Sequence, residues 1–246
     1  MTRQAIYHQL LAFGSDALPE QIELSGIRCQ LMQLFKHDFF AATGLYQGPM
    51  GPVVLKHYRH RPCFGLPMEW MGRWMAGRES RHYKVLDGLG GIPRFICHYQ
   101  STGLVHAFIP GQDLRRDLAL PDTFFDDLFA LMEQLHRRRM AYVDANKMDN
   151  VLVGDNGKPY LIDFQISLHW PTASRWHGPR WLLGRFQQAD LYHLLKHKRR
   201  CRPDQMSEGE LQRSTRNRWI LLHRLIANPF RKCRRKILAA IKPPEM

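Results

Sequence analysis

The chain has 246 residues, 44% of them hydrophobic, and its 36 Lys and Arg against 22 Asp and Glu leave a net charge of +14. That apolar content excludes a disordered polymer, and the length can bury a substantial core or divide into two lobes. Cys29, Cys63, Cys97, Cys201 and Cys233 are scattered, odd in number and form no C-x-x-C pair, which argues against a disulfide framework or zinc site and for a reducing cytosol.

In chain order, residues 4–13 carry a helical pattern and 15–19 a turn. Residues 37–56 hold Gly44, Gly48 and Gly51 without a G-x-G-x-x-G, and end in the apolar run Val53, Val54, Leu55 followed by Lys56. Trp70, Met71, Trp74, Met75 and Tyr83 recur near helical spacing, predicting one amphipathic helix over 68–86 that carries Glu79, with Trp70 and Trp74 as packing residues. Residues 88–95, GLGGIPRF, read as a turn into a strand, and the strand over 104–111 is broken by Pro110 and Gly111. A helix is predicted over 123–140, apolar at 125, 128, 129, 132 and 135, with acids early and Arg137, Arg138 and Arg139 late, as the helix dipole prefers. Residues 168–186, rich in Trp, Arg, Gly and Pro, read as irregular, and Asp190 opens a helical run over 191–197. His193 and His197 share one face of that run but lack an acid or cysteine cluster, so they are expected at the surface.

The densest chemical signal lies at 142–153, YVDANKMDNVLV, and 161–167, LIDFQIS. Val151 to Val153 and Tyr160 to Ile162 are short apolar runs joined by Asp155, Asn156 and Gly157, which predicts a hairpin that brings Asn150 close to Asp163. Magnesium bound with a nucleotide triphosphate takes one or two protein carboxylates and keeps several waters, and Asp163 and Asn150 can supply such oxygens. A hydroxyl acceptor must also be oriented and relieved of its proton by a carboxylate apart from the metal ligands, a place that Asp144 fits.

These segments resemble the protein-kinase-like superfamily, whose catalytic loop reads His-Arg-Asp, four residues, then Asn, and whose metal-binding turn reads Asp-Phe-Gly. Here Tyr142 and Val143 stand in place of the His-Arg pair and Gln165 in place of the glycine, and Asn150 follows Asp144 by six residues instead of five. Either the loop has one inserted residue and Asn150 is the ligand, or Asp149 takes that role at the common spacing; the Val-Leu-Val after Asn150 favours the former. The Tyr-x-Asp-x-Asn-Lys loop and Asp-Phe-Gln turn look most like the bacterial lipopolysaccharide core (Kdo/heptose) kinases.

The resemblance implies an α+β, two-lobed protein-kinase-like fold, with a β-rich amino-terminal lobe over 1–110 and a helical carboxyl-terminal lobe over 111–246. It implies ATP and Mg2+ as cofactors, Asp144 as the catalytic base, Lys147 as a loop lysine reaching the transferred phosphate, and Asn150 and Asp163 as metal ligands. Lys56 would engage the α and β phosphates and Glu79 would position Lys56. Thr43 and Gly44 would form a degenerate phosphate cover, and the backbone from Ala107 to Ile109 would bond adenine. Asp190 would hold the catalytic loop through its backbone, a structural role.

Residues 191–246 carry 15 Lys and Arg against 4 Asp and Glu, a net of +11, so the positive excess is concentrated in one tail. Within it, 219–241 joins apolar helical segments to Arg231, Lys232, Arg234, Arg235 and Lys236, as in basic amphipathic helices that lie on anionic lipid. No stretch reaches the roughly 18–20 apolar residues of a membrane span, and the start lacks signal-peptide order. The resulting expectation is a cytoplasmic enzyme, peripheral on the inner face of the cytoplasmic membrane, phosphorylating a glycolipid hydroxyl. A protein Ser/Thr kinase and a catalytically weak or inactive kinase-like module docking to membrane or nucleic acid are the alternatives, with nucleic acid the least favoured partner.

Overall fold

The computed structural model describes residues 2–171 and 177–214, and the basic cluster at 231–236 and the helical pattern at 219–241 lie outside them. Within the described residues the chain forms two units. One runs to Ser80 and resumes over Phe95–Phe108; the other comprises Arg81–Arg94 and the residues from Ile109 onward.

The first unit is built on a six-stranded antiparallel sheet. Its strands β1 (Gln21–Leu24), β2 (Ile27–His37), β3 (Ala41–Gly48), β4 (Gly51–Tyr58), β5 (Phe95–Tyr99) and β6 (Gly103–Ala107) lie in the order β1-β2-β3-β4-β6-β5. Every residue of β4 from Val53 to Tyr58 is buried, Lys56 and His57 included, so both faces of the strand are covered. One face packs Ala42, Tyr46, Val53 and Leu55 against Ala12, Phe13 and Leu18 from the segment after α1 (Arg3–Gln9). That segment is tied down by Arg59, a fully buried guanidinium that donates to the carbonyls of Leu11 at 2.8 Å and Phe39 at 2.8 Å and stacks on the Phe39 ring. Helix α2 (Glu69–Val85) approaches so closely that a Cβ on Gly72 would sit 2.0 Å from the Arg59 carbonyl oxygen. Its buried side carries Met75, Ala76 and Glu79, so Trp70 and Trp74 fall on the opposite side. They are 66% and 53% exposed, contrary to their expected packing role.

In the second unit, α3 (Phe124–Arg137) buries Phe125, Leu128, Met132 and Leu135, the spacing read from sequence, and packs on α4 (His177–Cys201). The predicted hairpin is present as β9 (Val151–Gly154) and β10 (Pro159–Leu161), with Val151 opposite Leu161, and β7 (Gly111–Asp113) extends it. Gly157 closes the turn at φ +74°, which a residue with a Cβ rarely adopts. A two-stranded ribbon pairs β8 (Met140–Ala141) with β11 (Leu168–His169). Helix α4 begins at His177, not at Asp190, because Pro179 lies in its first turn, where a missing N–H costs nothing. His197, expected at the surface, is fully buried and donates from Nε2 to the Ala145 carbonyl at 2.7 Å. Helix α5 (Glu208–Arg213) opens with a Ser207–Glu210 capping box and meets α4 through Lys198 and Glu210. Among the described residues no helix is long and apolar enough to cross a membrane.

Candidate active site

In the first unit, strand β4 sets Lys56 on the sheet face that receives α2, and the helix brings Glu79 to it. Lys56 Nζ lies 2.9 Å from Glu79 Oε2 and 3.2 Å from Oε1, and Tyr58 donates its hydroxyl to Oε2. Both members of the ion pair are buried, and such a pair is held by geometry and extra hydrogen bonds because desolvation offsets much of its attraction. Thr43 is the cross-strand partner of Lys56, so the two side chains rise on one face. Gly44 lies one residue on, inside β3, where a Cβ would meet Leu18 and Leu31 side-chain carbons at 2.8 Å. The turn between β2 and β3, residues 38–40, contains no glycine and is closed by Asp38, which accepts from the Phe40 and Ala41 amides. Ala107 ends β6 and its carbonyl accepts from His106 Nδ1, while Ile109 begins the next stretch of the second unit.

In the second unit, the loop between β8 and β9 gathers Asp144, Lys147 and Asn150. Asp144 is 5% exposed; its Oδ2 accepts from Lys147 Nζ at 2.6 Å and from Asn150 Nδ2 at 2.9 Å, while Oδ1 accepts from Asn146 Nδ2 at 3.2 Å. Asn150 is buried, whereas Asp149, its neighbour in the 3-10 turn Met148–Asn150, is exposed and lies near enough to Asp113 to help raise that carboxyl. The loop is fixed from below by Asp190 in α4. Its carboxylate accepts from the Tyr142 and Val143 amides, each at 2.8 Å, and from His136 Nε2 at 3.1 Å. Burial raises the Asp190 carboxyl above its usual range, with these bonds opposing the rise. The structural role expected of Asp190 is what the geometry shows.

Tyr142 couples this loop to the Asp163 turn. Its hydroxyl reaches the carbonyls of Ile162 and, at 3.2 Å, Asn150; the Ile162 amide donates to the same Asn150 carbonyl at 3.1 Å. Burial pushes the Tyr142 hydroxyl well above its ordinary value, and the negative charges of Asp163, Asp144 and Asp190 add to the rise. Asp163 adopts φ +61° and Val143 φ +70°, both in the left-handed region. For a β-branched residue that is a strained backbone, of the kind that clusters at functional sites. Phe164 anchors the turn, buried edge-to-face against Tyr83 and Tyr142 at 5.2 Å each, with its carbonyl accepting from His82 Nδ1.

These residues suit magnesium. Because the Asn150 amide nitrogen is directed at Asp144, its Oδ1 is turned elsewhere, and Asp163 supplies a carboxylate at the end of the same hairpin, two hard oxygens of the kind Mg2+ accepts. His82, Tyr142 and Ser167, whose hydroxyl donates to the Tyr142 carbonyl, escaped the sequence reading as positioning residues. Their partners lie up to 82 residues away, so no local pattern carries the signal.

No protein-family model and no curated protein matches the chain. Among solved structures it is similar to the Rio2 kinase-ADP/Mg2+-phosphoaspartate complex from Chaetomium thermophilum, with a TM-score of 0.52 and 18% identity over 72% of this chain and 58% of that one. A second structure of Rio2 kinase from the same organism matches with a TM-score of 0.49 and 17% identity, over 69% of this chain and 58% of that one. The chain thus spans less than two thirds of the length of these kinases. The likeness to the ADP/Mg2+ complex establishes the architecture expected from the motifs: an α+β fold of the protein-kinase-like kind.

Proposed function

We propose that this protein is a kinase-like phosphotransferase that moves the γ-phosphate of ATP to a hydroxyl of a lipopolysaccharide-type sugar. One observation carries the reading: a buried carboxylate, Asp144, held by an ammonium and an amide, on a loop tied through Tyr142 to the Asp163 turn. The ADP and magnesium named for the Rio2 kinase complex support the nucleotide part, and the Tyr-x-Asp-x-Asn-Lys loop supports the sugar acceptor.

Lys147 and Asn150 already occupy Asp144 Oδ2, so Oδ1, with only the longer Asn146 bond, is the oxygen that takes the acceptor proton. As the hydroxyl oxygen bonds to the γ-phosphorus, the bond to the β,γ-bridging oxygen breaks, ADP leaves, and the proton passes to Asp144. Lys147 stands beside the transferred group and offsets its charge. Lys56, steadied by Glu79, engages the α and β phosphates; Thr43 and Gly44 supply the phosphate cover, and the backbone at Ala107 and Ile109 takes the adenine. Asp163 and Asn150 Oδ1 would hold magnesium, which would supply screening of the phosphate charge. The basic tail would place the enzyme on the inner face of the cytoplasmic membrane, beside a glycolipid acceptor.

A catalytically weak or inactive kinase-like module that docks to membrane or nucleic acid is the competing reading, favoured by the glycine-free turn at 38–40. Thermal shift with ATP and Mg2+ should stabilise the protein, and Asp163→Ala should shrink the gain. Labelling from γ-labelled ATP should then favour a glycolipid extract over a generic protein substrate. No shift at millimolar nucleotide, or no labelling of either, would select the module, and labelling of protein alone the Ser/Thr kinase.

A further inference from the structure

The second unit contains a cavity of ≈ 210 Å³ lined by His136, Arg139, Trp170, Arg180, Leu183 and Gln187. None of these residues has a part in the reaction described above. The cavity offers two guanidinium groups, Arg139 and Arg180, and no carboxylate, and no hydrogen bond or ion pair involves either guanidinium among the described residues. Arg180 also sits in the first turn of the 25-residue α4, which has no acidic residue there, so its charge faces the positive end of a helix dipole. The Trp170 indole N–H is buried without an acceptor, a donor left unsatisfied at a cost of ~1–3 kcal/mol. The Gln187 amide nitrogen is already committed to the His136 and Met140 carbonyls. Arg180 is exposed and Arg139 half-buried, so both guanidiniums can meet an anion arriving from solvent, and one compact anion with several acceptor oxygens would pair them and satisfy the buried indole N–H. The volume far exceeds the ~10–15 Å³ that one water needs, leaving room for an anion and part of what carries it.

The cavity's position links it to the catalytic loop. The Trp170 amide donates to the Arg139 carbonyl at 3.0 Å, at the end of the β8–β11 ribbon, and β8 runs straight into Tyr142, Val143 and Asp144. Arg139 is five residues from Asp144, a reach of at most about 17 Å. His136 shares Asp190 with the amides that fix that loop.

We propose that this cavity binds a phosphate group carried by the acceptor, so that the substrate is already phosphorylated when its hydroxyl reaches Asp144. The identity of the carrier rests on the phosphotransferase reading; the phosphate site itself does not. The test uses the full chain at fixed ionic strength and follows thermal shift with inorganic phosphate against chloride, and with glucose 1-phosphate against glucose. The parent protein should show a saturable rise with both phosphates. Arg180→Gln and Arg139→Gln should each weaken the apparent affinity about tenfold or more, and Trp170→Phe should weaken it without a change in charge. Arg94→Gln, which removes the same charge at an exposed site elsewhere in this unit, should leave it unchanged. Equal weakening by Arg94→Gln, undiminished binding by Trp170→Phe, or no phosphate-specific shift would overturn the site. A response to inorganic phosphate but not to glucose 1-phosphate would overturn the acceptor assignment. Should Arg139→Gln fail to fold, Arg180→Gln on the outer helical turn still decides. The ATP and Mg2+ shift is measured on the same samples: its absence in the parent sinks the phosphotransferase reading and leaves the phosphate site standing.

Discussion

Replacing Asp190 tests whether the catalytic loop is held from beneath. In Asp190→Ala the Tyr142 and Val143 amides lose acceptors at 2.8 Å inside the second unit, where Tyr142 is fully buried. Each stranded N–H costs ~1–3 kcal/mol, and the His136 contact is lost as well. Against this, the carboxylate's own burial penalty disappears, a penalty visible in its raised pKa. The balance is a destabilisation of about 2–5 kcal/mol, a large fraction of a typical folding free energy of ~5–15 kcal/mol. Asp190→Asn keeps one acceptor oxygen and carries no charge to desolvate, so it should cost about half as much. Equilibrium urea unfolding followed by far-ultraviolet circular dichroism and by tryptophan fluorescence reads both differences. An Asp190→Ala protein within ~0.5 kcal/mol of the parent, the range of ordinary surface changes, would refute the reasoning.

Three further perturbations follow from the packing. Glu79→Gln leaves Lys56 as a buried cation without its carboxylate and should cost about 3–5 kcal/mol in the same unfolding assay, whereas an exposed pair such as Glu69–Arg73 should give under ~1 kcal/mol. Gly72→Ala forces a Cβ to within 2.0 Å of the Arg59 carbonyl and should destabilise by about 1–3 kcal/mol, while Gly77→Ala in the same helix meets nothing within 4 Å and should stabilise by up to ~1 kcal/mol. Burial lowers His57 and His197 to about 4 from an ordinary 6.5. Their neutral forms are shared by both states above pH 6.5, but below it the unfolded chain takes up protons the folded protein refuses. Stability should therefore fall between pH 6.5 and about 4, by up to ~1.4 kcal/mol per pH unit for each histidine, roughly 3 kcal/mol apiece in total. His57→Gln should remove one histidine's share of that slope in urea titrations between pH 7.5 and 4.5.

What the sequence made legible was local. The hairpin of β9 and β10 is written in two apolar runs around an Asp-Asn-Gly turn, and α3 in its spacing, so each follows from contacts within a few residues. Asp190 was readable because the motif frame around it fixed its role. The failures share a different cause. Trp70 and Trp74 lie one turn apart, which sets a common face without saying which face meets the sheet; the close approach at Gly72 and the pairing of Glu79 with Lys56 decide that. His197 is buried because its ring meets a carbonyl 52 residues earlier, and the early start of α4 was hidden by Pro179, which breaks a helix in its interior but not in its first turn. The paired arginines of the cavity come from residues 139 and 180, in segments read as a helix end and an irregular stretch, and only the folded unit brings them together.

The most direct test of the account is transfer of label from γ-labelled ATP to a membrane glycolipid fraction by the purified protein, run beside Asp144→Asn. That variant keeps the shape of the loop but removes the group that accepts the hydroxyl proton. The account predicts Mg2+-dependent labelling by the parent and a fall of at least ~100-fold in the variant, with the ATP-induced thermal shift retained. Equal labelling by Asp144→Asn would contradict it.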